Sequence, residues 1–258
     1  MDMAIRQSRV PWPDWQRPNE TTLLALVKKV TPFVRFLDPE IIAAVVASNN
    51  KHRAAWRKKL HDRDIDADAY LWKGSSCAFP GIRRHAGKKE LAAFNHTGEI
   101  DGIRDALKLD GNSYPKQIWS FVLCGQEFRN SGPAGYSLAH LADHKDYKNR
   151  LPQEFDIRGR SPEKLYGLFT APSNTVYMPD NLLKLTDFNP AARLLLLNKA
   201  QELYGAVCNM VRPGLEVKQQ QGKWAVDEFR WAEPVKAKDE SAVKAFLDFR
   251  DKVMEELL

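Results

Sequence analysis

The chain has 258 residues and a mass of 29.4 kDa, with 43% hydrophobic and 28% charged residues, the composition of an ordinary globular protein. This composition excludes a wholly disordered chain, and no apolar run approaches the roughly 20 residues that cross a bilayer. We therefore expect no membrane association and, because residues 1–9 are polar, no secretory signal. The three cysteines, Cys77, Cys124 and Cys208, are widely spaced and odd in number, which argues against a disulfide framework and favours a reducing cytoplasm.

The first regular elements of the chain are predicted to be helices. Apolar residues recur at helical spacing over 20–30, and Pro32 ends that element. Asp38 followed by Pro39 is typical of a helix start and predicts a second helix over 38–48. A third, basic helix is predicted over 51–63.

Positive charge is concentrated between residues 51 and 89, where eleven basic residues face four acidic ones, although the whole chain carries only +6. Such a concentration is typical of a surface that contacts nucleic-acid phosphates. The interpretation that competes with it is a solvated helix face. The predicted nucleic-acid contacts here are Arg53, Arg57, Lys58 and Lys59, with Trp56 and Trp72 able to stack on bases.

The second half of the chain mixes strand and helix patterns. Residues 118–124 are compact and apolar, which fits a buried strand or a short helix, and 174–178 predict a strand. Asn189 and Pro190 open a strong helix that ends at Gly205.

The C-terminal part is predicted to be a hairpin over 215–231, turning at 221–222, followed by an amphipathic helix over 239–258. Together these elements predict a mainly α-helical α+β protein. We expect residues 1–112 to form a basic helical nucleic-acid-binding region, and residues 113–258 to carry the chemistry.

The strongest chemical motif is Asp143–His144 at the end of the apolar stretch that precedes it. A carboxylate can bind a hard divalent cation, and an adjacent imidazole with a near-neutral pKa can deprotonate water. His140 lies four residues earlier, an offset that puts it on the same side as His144 in either a helix or a strand.

Thirty residues beyond this pair, Ser173–Asn174 opens the strand signal and a helix follows, and with this arrangement the chain resembles the HNH, or ββα-metal, nucleases. The resemblance implies a small ββα-metal nuclease core in which His144 is the general base and Asn174 orients it. It implies Asp143 as a ligand of Mg²⁺ or Mn²⁺, with Asn181 as the ligand from the following helix, and His140, from its spacing to His144, is either an additional ligand or a structural residue. There is no Cys-x-x-Cys zinc knuckle, and the expected helix position, roughly nine residues past Asn174, holds a leucine.

The same resemblance implies a metal-dependent endonuclease that cleaves DNA, most commonly in restriction or anti-phage defence. Lys145, Lys148 and Arg150 would then contact phosphates beside the cut. A homodimer would suit cleavage of both strands at a symmetric site, and a partner protein of a defence complex is an equal alternative.

Other interpretations remain. The chain could be a non-catalytic nucleic-acid-binding or adaptor subunit in which Asp143 and His144 are structural. A zinc site of Cys124, His140 and His144 is conceivable but lacks a fourth ligand. Gly135 to Ala139 imitates a hydrolase nucleophile elbow around Ser137, but the chain has no histidine after His144 to complete that triad.

Overall fold

The computed structural model describes residues 19–62, 75–78, 113–127, 133–142, 154–157, 171–182, 189–211 and 214–257. In these ranges the fold is α+β and mainly helical, with two small two-stranded sheets, as the sequence predicts at this level. No helix of the described ranges is both long and apolar enough to cross a membrane.

The first helix, α1, spans Glu20–Val30 as predicted. It starts at Asn19, whose side chain accepts a hydrogen bond from the Thr22 amide at 2.9 Å and so satisfies one of the free donors of the first turn. Its buried face is formed by Val27 and Val30. A 3₁₀ turn at Thr31–Phe33, which contains the expected proline, ends it.

Helix α2 runs without interruption over Pro39–His61, so the prediction of separate helices over 38–48 and 51–63 is wrong. Neither proline nor glycine lies inside the helix to break it. Asn49, which lies in the gap between the two predicted helices, is completely buried and donates to the carbonyls of Ser76 and Ala78 at 2.9 and 3.0 Å. Its polar side chain is satisfied by the tertiary structure, and therefore the helix can continue past it.

Helix α3 spans Ser113–Cys124, which decides the ambiguous segment 118–124 in favour of a helix. Ile118, Trp119 and Val122 of this helix are buried. Gly125 follows with a φ of 71°, in the left-handed region that glycine adopts readily at helix ends.

Two strands of the first sheet are far apart in sequence. Strand β1, Tyr136–His140, pairs antiparallel with β3, Thr175–Pro179, so that His140 lies opposite Thr175 and Tyr136 opposite Pro179. An isolated bridge between Arg35 and Tyr177 adds a contact from the N-terminal part of the chain.

The second sheet corrects the predicted C-terminal hairpin over 215–231. Strand β4, Leu215–Val217, pairs with β2, Phe155–Ile157, and not with a strand beyond residue 221. The following residues form 3₁₀ turns at Gly222–Trp224 and Val226–Glu228. Leu215 and Val217 are buried, and they gain backbone partners from a segment about sixty residues earlier, a long-range pairing that local turn chemistry cannot reveal.

Helices α4, Pro190–Tyr204, and α5, Glu240–Leu257, agree with the predicted ones. Asn189 caps α4 by accepting from the Ala192 amide at 3.0 Å, and Asp239 caps α5 by accepting from the Ala242 amide at 3.0 Å.

One hydrophobic core joins residues from both sides of the predicted boundary at 112. It packs Val34 and Ile42 together with Ile118, Leu197 and Phe246. The N-terminal helices and the β1–β3 region therefore share a core.

Candidate functional site

The centre of the candidate site is Asn174, the last residue of a 3₁₀ turn at Pro172–Asn174 that leads into β3. Asn174 is 1% exposed, and its Oδ1 accepts from the Ala142 amide at 2.8 Å while its Nδ2 donates to the Ala142 carbonyl at 3.0 Å. The Leu141 amide also donates to the Asn174 carbonyl at 2.9 Å. The backbone directly before Asp143 is thus fixed to the turn that opens β3.

The turn beneath Asn174 is itself held from α3. Trp119 Nε1 donates to Thr175 Oγ1 at 3.3 Å, and that hydroxyl donates to the Pro172 carbonyl at 2.9 Å. The Trp119 ring also meets Tyr177 edge-on, with 4.8 Å between centroids. Because every one of these groups is buried, the position of Asn174 is set by packing as well as by hydrogen bonds.

His140 and Asn181 lie at opposite ends of the β1–β3 pair. His140 is half-buried opposite Thr175, beside Asn174. Asn181 is exposed in a 3₁₀ turn at Asp180–Leu182 that follows the far end of β3, about 14 Å along the strand from Thr175 at ~3.4 Å per residue. The structure therefore brings His140, but not Asn181, to the end of the sheet where Asn174 lies.

Hydrogen bonds to Asp180 join β1 and β3 at the end of the strand pair that lies away from Asn174. The Asp180 amide donates to the Gly135 carbonyl at 3.0 Å, and Ser137 Oγ donates to the Asp180 carboxylate. Ser137 lies within strand β1 and not on a strand-to-helix turn, so the structure gives it no nucleophile-elbow geometry.

Five of the predicted site residues, Asp143, His144, Lys145, Lys148 and Arg150, lie outside the described residues. Within the described ranges, no three His, Cys, Asp or Glu side chains are placed to share a metal ion. Cys124, suggested as a zinc ligand, is exposed at the end of α3.

The predicted nucleic-acid contacts at the basic end of α2 differ in their exposure to solvent. Arg57, Lys58 and Lys59 are exposed, whereas Arg53 is half-buried. Lys58 Nζ lies 2.7 Å from the Asp62 carboxylate, and this hydrogen bond lowers the pKa of Asp62. Three cationic side chains are thus presented to solvent within one helical turn.

Trp56 cannot stack on bases as the sequence suggests, because it is only 4% exposed. The His52 ring stacks on its indole at 5.3 Å between centroids, and the Arg250 guanidinium lies 5.2 Å from the same ring centroid. Trp72, the other suggested stacking residue, lies outside the described residues.

Arg250 is a buried charge that sequence reasoning missed. It is 0% exposed and donates to Asn49 Oδ1 at 2.7 Å, to Ser48 Oγ at 2.5 Å and to the Asp251 carboxylate at 2.8 Å. Helical spacing was the signal that could have found it, because Arg250 lies four residues after Phe246 and three before Val253, on the apolar face of the closing helix. Arg250 links α5 to α2, the helix that carries the exposed basic residues.

A second missed feature is a buried cluster of hydroxyls and thiols next to Asn174. It consists of Ser75, Ser76, Cys77, Ser173 and Cys208, which we call the thiol cluster. The residues of the thiol cluster come from three separate stretches of the chain, so no local sequence pattern predicts the cluster.

Comparison with known proteins finds no match: no family model, no curated protein and no solved structure corresponds to the chain. Function therefore has to be inferred from the residues and their geometry.

Proposed function

We propose that this protein is a metal-dependent endonuclease of the HNH type that hydrolyses phosphodiester bonds of DNA. The observation that carries this proposal is the pair of hydrogen bonds between the Asn174 side chain and the Ala142 backbone. An active-site loop that must present Asp143 and His144 in one geometry needs such a fixed entry point. A buried amide that bonds both the N–H and the C=O of one residue supplies it.

The order of the strands and the helix around Asn174 also supports the proposal. In the chain, β1 ends three residues before Asp143, β3 begins at Thr175 directly after Asn174, and α4 follows β3. The two strands are antiparallel, and the start of β3 lies beside the end of β1. Taken without β2, which falls inside the connection between the two strands, the order β1, β3, α4 is the one that a ββα motif requires.

In the proposed mechanism, His144 acts as general base and takes a proton from the attacking water, a task that suits an imidazole near neutral pH. Asn174 is a positioning residue, because both ends of its amide are already bonded to Ala142. It is therefore not counted as a metal ligand.

The donors fit Mg²⁺ or Mn²⁺, which prefer carboxylate oxygens. Asp143 would hold the ion, with His140 as a further ligand because it lies three residues before Asp143 in the chain and at the end of β1 beside Asn174. Asn181 is omitted since it follows the opposite end of β3. When bound, such an ion supplies Lewis-acid stabilisation of the leaving oxygen.

DNA is the proposed substrate because the chain also has exposed cationic side chains at the end of α2. Arg57, Lys58 and Lys59 are presented at the end of α2, and we assign to them sequence-independent contacts with phosphates. Lys145, Lys148 and Arg150 follow Asp143–His144 closely in sequence and would contact phosphates nearer the cut. We place the activity in restriction or anti-phage defence, with a homodimer or a partner protein completing the assembly.

The test is cleavage of supercoiled plasmid and of single-stranded DNA with Mg²⁺ or Mn²⁺, compared with EDTA. Asp143→Ala and His144→Ala, purified in the same way, control for contaminating nucleases. We expect metal-dependent nicking that falls about 100-fold or more in His144→Ala, the usual contribution of a general base. If the wild type and His144→Ala both bind DNA and neither cuts it, the protein is instead a non-catalytic nucleic-acid-binding subunit.

A further inference from the structure

The thiol cluster brings two cysteines into a polar, buried environment. Ser75 Oγ lies 3.4 Å from Cys77 Sγ and 3.3 Å from Cys208 Sγ, so one hydroxyl touches both sulfurs. Ser76 Oγ donates to Cys208 Sγ at 3.3 Å, and a hydrogen bond joins Cys77 Sγ to Ser173 Oγ at 3.1 Å. Buried cysteines that serve only as packing are surrounded by apolar groups, unlike these.

The backbone places the two cysteines opposite each other. The Ser76 amide donates to the Asn209 carbonyl at 3.0 Å, and the Asn209 amide donates to Ser76 Oγ at 2.9 Å. These bonds hold the two segments side by side, one residue before Cys77 and one residue after Cys208.

The surroundings distinguish the two sulfurs electrostatically. The neighbouring Cys77 thiol, together with the hydroxyls of Ser75 and Ser76, lowers the pKa of the Cys208 thiol. Burial raises the pKa of Cys77 well above its ordinary value. Cys208 is therefore the more acidic thiol of the pair.

We propose that Cys77 and Cys208 form a redox-active dithiol that a peroxide oxidises to a disulfide. The Cys208 thiolate attacks hydrogen peroxide, the O–O bond breaks, and one oxygen remains as a sulfenic acid while the other leaves as hydroxide and takes a proton to become water. The Cys77 sulfur then attacks the Cys208 sulfur as its own proton passes to the departing hydroxide, which gives the disulfide and a second water. The two thiols lose two electrons, and the peroxide gains them.

The cluster lies close enough to solvent for so small an oxidant. Cys208 retains 4% exposure, Ser76 beside it is half-buried, and Asn209 is exposed. Cys124, in contrast, is exposed at the end of α3. The chain therefore contains its own reference thiol, which is accessible but lacks a neighbouring cysteine among the described residues.

Oxidation of this pair would act on the candidate site through Ser173. Ser173 touches both cysteines, at 3.1 Å from Cys77 Sγ and 3.9 Å from Cys208 Sγ, and it directly precedes Asn174. A disulfide would remove the thiol proton of Cys77 and draw its sulfur towards Cys208, which changes the bond that holds Ser173. This regulatory consequence rests on the proposed nuclease function, whereas the dithiol itself does not.

The dithiol is tested by titrating the full chain with hydrogen peroxide at neutral pH, alkylating the remaining thiols with iodoacetamide after unfolding, and mapping the products by peptide mass spectrometry. We expect a Cys77–Cys208 disulfide to form about tenfold faster than Cys124 is oxidised, because Cys208 is the better thiolate. Dithiothreitol should reverse it. Oxidation of Cys124 while Cys77 and Cys208 both remain alkylatable would overturn the assignment.

Variants sharpen the result. Cys124→Ser should form the same disulfide as the wild type, whereas Cys208→Ser should form none. If Cys208→Ser fails to fold, the map of wild type and Cys124→Ser still decides the assignment, since it identifies the linked peptides directly.

The regulatory part is tested by plasmid nicking before oxidation, after oxidation, and after reduction. Cys124→Ser is the background for this assay. We expect at least about a tenfold loss on oxidation that reduction restores. Equal nicking in both states would overturn the link to the site, and absence of nicking in the reduced protein would instead overturn the proposed function, with the dithiol still decided by the peptide map.

Discussion

Asn174 and Ala142, 32 residues apart in the chain, are joined by two hydrogen bonds in which one side-chain amide satisfies both the N–H and the C=O of a single residue. A related arrangement occurs at Asn198, whose side-chain amide bonds a C=O and an N–H that belong to two different residues. Asn198 Nδ2 donates to the Lys218 carbonyl at 2.6 Å, and its Oδ1 accepts from the Gln220 amide at 2.8 Å. Among the described residues, Asn174 and Asn198 are thus two buried side chains that each bond one backbone N–H and one backbone C=O, and Ala142, the partner of Asn174, directly precedes Asp143 in the chain.

Comparing variants of Asn174 and Asn198 tests whether Asn174 positions the candidate site. Asn174→Ala and Asn198→Ala each leave two backbone groups without their partner, so each should lower the free energy of unfolding by about 2–4 kcal/mol. Only Asn174→Ala should also lower DNA cleavage by about tenfold or more, because only it releases the backbone before Asp143. Urea unfolding gives the first quantity, and a nicking assay well below both melting temperatures gives the second. Equal activity of the two variants would contradict the positioning role of Asn174.

The exposed end of α2 is tested by charge removal. Replacing Arg57, Lys58 and Lys59 with Gln should weaken DNA binding and reduce the slope of log K against log salt by roughly 2 to 3, as expected for three lost phosphate contacts. Fluorescence anisotropy with a labelled duplex at several salt concentrations measures both effects.

The control for that experiment removes the same charge elsewhere. Lys236, Lys244 and Lys252 are also exposed, and their joint replacement by Gln should leave the salt slope near that of the wild type. A similar loss in both triple variants would mean that net charge, and not the surface of α2, determines binding.

Arg250 is predicted to be a major contributor to stability. Arg250→Ala removes the donors of Asn49 Oδ1 and Ser48 Oγ as well as the cation over Trp56, and it leaves a cavity. We expect a loss of about 2–4 kcal/mol in the free energy of unfolding. Arg250→Lys should recover only part of it, because an ammonium group cannot reproduce the planar fork.

The control is Lys252→Ala, an exposed change on the same helix, which should alter stability by less than about 0.5 kcal/mol. Urea denaturation measures all three variants. A loss below about 1 kcal/mol in Arg250→Ala would show that the α2–α5 contact is stable without it.

Buried tyrosines predict loss of stability at alkaline pH. Burial raises the pKa of Tyr177 to about 12, and it raises the pKa values of Tyr114 and Tyr204 further. A group whose pKa is raised in the folded state contributes its full stability below the unfolded pKa, about 10 for tyrosine, and loses it as the pH rises through the folded value. Stability should therefore fall between about pH 10 and pH 12.

Tyr177→Phe isolates one of these contributions. Its urea midpoint should fall less steeply than that of the wild type over this pH window, since phenylalanine has no proton to lose. Lysines that titrate in the same range affect both proteins equally. Identical slopes would show that folding does not change the pKa of Tyr177.

The helices were predictable because their signals are local. Asn189 before Pro190, and a glycine at 205, define α4 in the sequence, and the structure places the cap and the end at those residues. The error in α2 has an equally clear cause. The gap left between the two predicted helices contains Asn49, and the partners of its side chain, the carbonyls of Ser76 and Ala78, come from another part of the chain.

The candidate site divides in the same way. The sequence by itself determined that Asn174 opens a strand after Asp143–His144, because the motif spacing and the strand pattern are local properties. Only the tertiary structure decided that the Asn174 amide bonds to Ala142, and that Asn181 lies at the other end of β3.

The difference between local signals and long-range contacts also explains which features were not predicted from the sequence. Helix periods and caps depend on neighbours within a few residues, so composition and spacing specify them. The thiol cluster, the burial of Arg250 and the pairing of β2 with β4 depend on which distant segments meet. Those meetings are set by packing of the whole core, and therefore only the folded chain could decide them.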